Sequence, residues 1–137
     1  MPIKLPTTWI THQARSEMGW RLIRWTLALL IAAHGWARLL AGAVAPFGEF
    51  LETLGFPMGR AIASAITFVE IVGSVALLLG LWVPTVCILH VLIYAAGIVL
   101  VHAQSGWFVV GLGRNGAEYS VLLIVCLVCV GWQRLDR

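Results

Sequence analysis

Four apolar stretches dominate this chain, and each is long enough, or nearly so, to cross a lipid bilayer. They cover residues 25–45, 61–81, 85–101 and 117–132. A hydrocarbon core of about 30 Å needs roughly 20 helical residues at 1.5 Å per residue. The first two stretches meet that length, whereas the last two need flanking residues or a locally thinner bilayer. The pattern predicts an all-α membrane protein built as a four-helix transmembrane bundle.

The composition supports the membrane class. Of the 137 residues, 61% are hydrophobic and 11% are charged, whereas a soluble domain has about 25% charged residues. The net charge of +3 is small, and the basic residues lie mainly near the termini, where they suit lipid headgroups and topology signals. They form no clustered basic face for nucleic acid. The prediction is one transmembrane domain over residues 20–133, with cytoplasmic tails at 1–19 and 134–137.

The distribution of positive charge predicts the orientation. An even number of spans places both termini on one side of the membrane. That side would carry Lys4, Arg15, Arg21, Arg24, Arg134 and Arg137, against Arg38, Arg60 and Arg114 on the other. The positive-inside rule therefore favours cytoplasmic termini in the cell inner membrane. The sequence at 43–45 resembles a signal-peptide cleavage site, but Pro46 would follow the cut, which favours retention of the first span.

A short amphipathic helix is predicted between spans one and two, at residues 46–55. Its apolar side chains recur at helical spacing, Pro46 suits a helix start and Gly55 suits a helix stop. We expect it to lie on the outer membrane surface.

Span two carries a stripe of small and polar residues, which are Ala63, Thr67, Glu70 and Ser74. Small residues let helices approach closely in lipid, so the stripe should face the bundle interior. Only residues 80–85 separate spans two and three, which should be antiparallel neighbours.

Five ionisable residues concentrate in the predicted outer half of the bilayer, namely His34, Arg38, Glu70, His102 and Glu118. A charge at the bilayer centre costs about 2.5–3.5 kcal/mol on insertion scales, so such residues are functional candidates. Two interpretations remain open. Arg38, Glu70 and Glu118 could form an ion-pair network that fixes helix register, or the five residues could line a ligand or redox pocket. Histidine suits the second, because its pKa of about 6.5 allows proton exchange.

The predicted inner half holds a different group, which consists of Cys87, His90, Cys126 and Cys129. Three sulfurs and an imidazole could hold zinc, and Cys126 with Cys129 could act as a redox dithiol. Cysteine also packs as a small apolar residue, and we favour packing without a metal.

An ordered set of motifs resembles the DoxX family over about residues 20–132. The set comprises His34-Gly35, Arg38-Leu39, residues 50–57, Glu70 to Gly73, residues 77–81, His102 before Gly106-Trp107-Phe108, and Glu118-Tyr119. The resemblance implies a four-helix membrane protein, and some members resemble subunits linked to quinone-dependent sulfur oxidation. It also places His34, Glu70, His102, Glu118 and Tyr119 at motif positions. Arg38 and Trp107 depart from the lysine and phenylalanine that are commoner there.

The leading hypothesis is a membrane subunit of a redox system that contacts quinone or quinol. His34, His102 and Glu118 are the predicted catalytic residues, and Arg38, Glu70 and Tyr119 are the predicted ligand-binding residues. Electrons would come from a redox partner protein or from the quinone itself. Two alternatives stay open: a non-enzymatic module that binds or transports a small amphiphile or lipid, and a structural anchor for a partner protein.

Overall fold

The chain is all-helical over residues 11–135, the part that the computed structural model describes. The elements in order are α1 (His12–Leu40), α2 (Val44–Thr53), α3 (Gly59–Leu79), α4 (Val83–Leu100), a short 3-10 helix (His102–Ser105) and α5 (Glu118–Trp132). Within that range no β-strand occurs. The all-α fold class is confirmed.

Helix length and hydropathy identify two helices that can cross a membrane, α3 and α4. Helices α1 and α2 together pass the same test as a third candidate, but they meet at an angle of 94°. Helix α5 is apolar and shorter, with 15 residues. The chain is therefore a membrane protein, and crossing by all four of α1, α3, α4 and α5 stays a prediction.

Helix α1 begins earlier than the first apolar stretch. Thr11 is its N-cap residue, and its hydroxyl accepts a hydrogen bond of 3.2 Å from the backbone N–H of Ala14. Such a cap satisfies one of the N–H groups that the first helical turn leaves without a partner. The helix thus includes residues 12–19, which are part of the predicted N-terminal tail. The rest of that tail, residues 1–10, and the last two residues of the C-terminal tail lie outside the described residues.

The bend after α1 was not predicted from the sequence. Helix α1 ends at Leu40, so the expectation of a continuous span to residue 45 is wrong. Gly42 has a φ of 64°, a left-handed conformation that glycine adopts without strain. Helix α2 starts at Val44, and Pro46 falls in its first turn, where a missing N–H costs no hydrogen bond. The predicted helix after span one is present, and Gly55, with a φ of 88°, lies directly beyond its end as expected.

The four longer helices pack as an antiparallel ring. Helix α1 contacts α3 and α5, and α4 contacts the same two helices. Ile31, Leu77 and Leu127, from three different helices, are fully buried in its centre. Helices α3 and α4 are joined by residues 80–82 and contact each other, as predicted for antiparallel neighbours. The small and polar stripe of α3 faces inward as predicted, since its four members are at most 4% exposed.

Candidate functional site

A cavity of about 400 Å³ lies at the end of the bundle formed by α2, the C-terminal half of α4 and the start of α5. Its polar lining residues are His34, Arg38, Glu70, Tyr94, His102, Asn115, Tyr119 and Ser120. Much of the remaining wall is apolar and includes Phe47, Phe50, Leu51, Ile66, Ile93 and Leu123. Five of the six predicted site residues therefore line one space, and Glu118 does not.

The predicted pair of Arg38 and Glu70 is present. The Arg38 Nη1 atom lies 2.5 Å from Glu70 Oε2 and 3.3 Å from Thr67 Oγ1. The Glu70 side chain is only 2% exposed, whereas that of Arg38 is 21% exposed. Within the described part of the chain, all hydrogen bonds of Arg38 run through Nη1. A guanidinium has five N–H donors, so the donors on Nε and Nη2 have no hydrogen-bond partner among the described residues.

Helix α2 covers the outer end of this ion pair. The Cζ atom of Arg38 lies 4.8 Å from the centroid of the Phe47 ring, a distance that allows a cation–π interaction. A Cβ atom added to Gly48 would lie 2.6 Å from Arg60 Cα. The absence of a side chain at this position therefore lets α2 pack directly on the start of α3, which brings Phe47 over Arg38.

His34 and Tyr119 form the edge of the cavity between α1 and α5. Their ring centroids are 6.4 Å apart, and the rings are tilted by 38°. His34 is exposed and Tyr119 is half-buried. An imidazole and a phenol hydroxyl therefore lie side by side in this part of the cavity wall.

His102 lies beyond α4, in the short 3-10 helix that covers the cavity. Its Nδ1 atom donates a hydrogen bond of 2.8 Å to the backbone carbonyl of Asn115. Because a carbonyl oxygen can only accept, Nδ1 carries the hydrogen in this bond. It also ties the end of α4 to the segment before α5.

Glu118 has a different setting from the one predicted. Its Oε1 atom accepts a hydrogen bond of 2.9 Å from the backbone N–H of Val109, and the residue does not line the cavity. It is the first residue of α5, where a negative charge is favourable at a helix N-terminus. The contact holds the 101–117 loop against α5 and thereby shapes the cavity wall.

Three polar cavity residues are absent from the predicted site, namely Tyr94, Asn115 and Ser120, and Tyr94 is the one that lies beside another buried polar group. It lies one turn after His90 on α4, and their ring centroids are 6.5 Å apart in a stacked arrangement. His90 donates through Nδ1 to the Val86 carbonyl at 2.8 Å. The Tyr94 hydroxyl and His90 Nε2 are both buried without a hydrogen-bond partner in the described structure. The sequence signal that could have found Tyr94 is its position four residues after His90, which places both side chains on one face of a helix.

The three cysteines, which the sequence places in the inner half of the bundle, differ in their burial. Cys87 is buried, Cys126 is half-buried and Cys129 is exposed. A Cβ atom on Gly131 would lie 3.2 Å from Cys87 Cβ, so this thiol packs at the contact between α4 and α5. Among residues 11–135, no group of three histidine, cysteine, aspartate or glutamate side chains is placed to hold a metal ion.

The helix packing and the cavity define a class of protein, a helical membrane protein with a cavity that has polar residues in a largely apolar wall. The family model described as DoxX matches residues 19–103, more than half of the chain, so the chain belongs to the DoxX family. The match includes His34, Arg38, Glu70, Tyr94 and His102. Comparisons with curated proteins and with solved structures gave no match.

Proposed function

We propose that this DoxX protein is an integral membrane subunit of a redox system and that its cavity binds a quinone or quinol. The observation that supports this most strongly is the joint placement of Arg38, Glu70, His34, His102 and Tyr119 around one largely apolar space. Its volume falls in the range of about 300–1,000 Å³ that is typical of small-molecule sites. A quinone has a flat apolar ring, which suits the apolar wall, and oxygens at the edge of the ring, which suit the polar residues.

The residues present fit such a ligand. The Tyr94 hydroxyl is a buried polar group without a hydrogen-bond partner among residues 11–135, and such a group is costly unless something hydrogen-bonds to it. A ligand oxygen would remove this cost. The Arg38 donors that Glu70 does not use offer a second, charged hydrogen bond.

The proposal assigns roles to six of the polar residues in and around the cavity. A bound quinone supplies a ring that takes up two electrons and two protons at its carbonyl oxygens. His34 and His102 exchange protons with the ligand oxygens, and Arg38 stabilises negative charge on an oxygen. Tyr119 and Tyr94 complete the hydrogen bonds, and Glu118 holds the loop. The electrons come from a redox partner protein.

Native mass spectrometry of the gently purified protein tests the binding role. We expect bound quinone in the wild type and about a thirtyfold weaker affinity in the His34→Ala, His102→Ala double variant, because two hydrogen bonds of roughly 1 kcal/mol each are lost. His12→Ala, an exposed position outside the cavity, is the control. Equal quinone content in all three proteins would contradict the proposal, and an amphiphile of another class in the cavity would favour a non-enzymatic binding module.

Tyr94→Phe separates ligand binding from stability. Because the hydroxyl has no partner in the described structure, we expect the variant to unfold in detergent at the same temperature as the wild type or at a higher one. Quinone affinity should fall about fivefold, which corresponds to one lost hydrogen bond of roughly 1 kcal/mol. Clear destabilisation together with unchanged affinity would show that the hydroxyl serves packing within the protein.

We also propose that α1, α3, α4 and α5 all cross the inner membrane, with both termini cytoplasmic and α2 on the outer surface. In a background without the three native cysteines, Glu49→Cys should react with an impermeant maleimide added to intact cells. Gln133→Cys should react only after the membrane is opened. Reaction of both from the same side would refute this topology.

A further inference from the structure

A second, smaller cavity lies at the opposite end of the bundle, between α1 and the chain that follows α5. Its volume is about 110 Å³. The lining residues are Glu17, Trp20, Arg21, Arg24, Val130, Gln133 and Arg134. Three of them are arginines, so this cavity collects positive charge from two separate parts of the chain.

Arg24 lines this cavity and is fixed by hydrogen bonds to the backbone of α3. It is only 7% exposed, and its Nη1 atom donates to the carbonyls of Leu77 and, at 3.0 Å, Leu78. These carbonyls lie at the C-terminal end of α3, where the partial negative charge of the helix favours a cation. A Cβ atom on Gly80 would lie 3.1 Å from Arg24 Nη1. The absence of a side chain at this turn therefore leaves room for the guanidinium.

The charges around Arg24 are unbalanced within the described lining. Arg21, Arg24 and Arg134 carry the same charge around one small space, whereas Glu17 is the one acidic residue among the lining side chains. Like charges in a partly buried space destabilise each other unless an anion lies between them. Three arginines around about 110 Å³ offer planar N–H donors and room for a group the size of a phosphate.

We propose that Arg21, Arg24 and Arg134 bind the phosphate of an anionic phospholipid. A lipid headgroup and a free phosphate share this chemistry, but the surroundings favour the lipid. Trp20 lines the cavity, and tryptophan is common at headgroup level. The neighbouring surface exposes large apolar side chains, with Leu22 65% and Trp132 72% exposed. Acyl chains can lie against such a surface while the phosphate occupies the basic cavity.

Lipid titration of the full-length protein in a neutral detergent tests this site, with affinity followed by native mass spectrometry. The probes are phosphatidylglycerol, phosphatidylethanolamine and inorganic phosphate. The test variant is the double change Arg21→Gln, Arg134→Gln, which keeps Arg24 and its contacts with α3. The matched control is Arg15→Gln, Arg114→Gln, which removes the same charge at exposed positions outside this cavity.

We expect phosphatidylglycerol to bind the wild type and the control equally, and the test variant about 25-fold more weakly, or roughly fivefold for each arginine near a membrane surface. Phosphatidylethanolamine and inorganic phosphate should bind far more weakly than phosphatidylglycerol. Equal losses in the test and control variants would show that only net charge matters and would overturn the proposal. Inorganic phosphate that binds as tightly as phosphatidylglycerol would also overturn it.

Discussion

Replacing either Arg38 or Glu70 with glutamine is expected to lower the free energy of unfolding in detergent by about 3–5 kcal/mol. Glu70 is 2% exposed on the inward face of α3, and Arg38 Nη1 lies 2.5 Å from its carboxylate. Removing one partner leaves the other charge buried without compensation, which is the main source of the cost. Thr67 also loses a hydrogen bond when Arg38 is changed.

The double variant Arg38→Gln, Glu70→Gln should lose less stability than the sum of the two single losses. The coupling arises because neither charge is left alone once both are removed. Thermal unfolding of the wild type, both single variants and the double variant measures it. Arg60→Gln is the control, because its ion pair with Glu49 is 68% and 61% exposed and should contribute little. Strictly additive losses would show that Arg38 and Glu70 do not stabilise each other.

Gly48→Val is expected to destabilise the protein by about 3 kcal/mol, at the upper end of the range for overpacked sites. Even a Cβ atom would lie 2.6 Å from Arg60 Cα and 2.7 Å from Arg60 N. Both are backbone atoms of α3, so α2 itself must move. Because α2 carries Phe47, Phe50 and Leu51 into the cavity wall, quinone affinity should fall as well.

Gly19→Val is the matched control for this change. Gly19 is also helical, and an added Cβ atom would meet no other atom within 4 Å. Its unfolding temperature and ligand affinity should stay near those of the wild type. If Gly48→Val behaves like Gly19→Val in both measurements, the contact between α2 and α3 does not shape the cavity.

The ion pair could be predicted from the sequence because Glu70 has few possible cationic partners in the apolar stretches. Glu70 is the single ionisable residue of its apolar stretch, and Arg38 lies at a similar depth on the neighbouring helix. A buried carboxylate needs a partner from another helix, and only a few cations were within reach. The inward face of α3 followed from its small residues in the same way.

Three features were not predictable because they depend on tertiary contacts. After Arg38 the apolar run continues through residue 45 without a further charge, so nothing in its hydropathy marks the bend at Gly42. In the sequence, Glu118 looks like the other ionisable residues near the apolar stretches. Only the path of the loop brings the N–H of Val109 to its carboxylate. Tyr94 is uncharged and lies in an apolar helix, where the sequence alone predicts that an aromatic residue packs in the core.

Photoaffinity labelling of the full-length protein with an azidoquinone, followed by peptide mapping, tests quinone binding in the cavity most directly. We predict adducts on the cavity faces of α1 and α4, near His34 and Tyr94, that disappear when unlabelled quinone is present in excess. Adducts at lipid-facing positions such as Phe68, which is 65% exposed on α3, should be few and insensitive to the competitor. Labelling confined to such positions, or cavity labelling that the competitor does not reduce, would contradict a quinone site in this bundle.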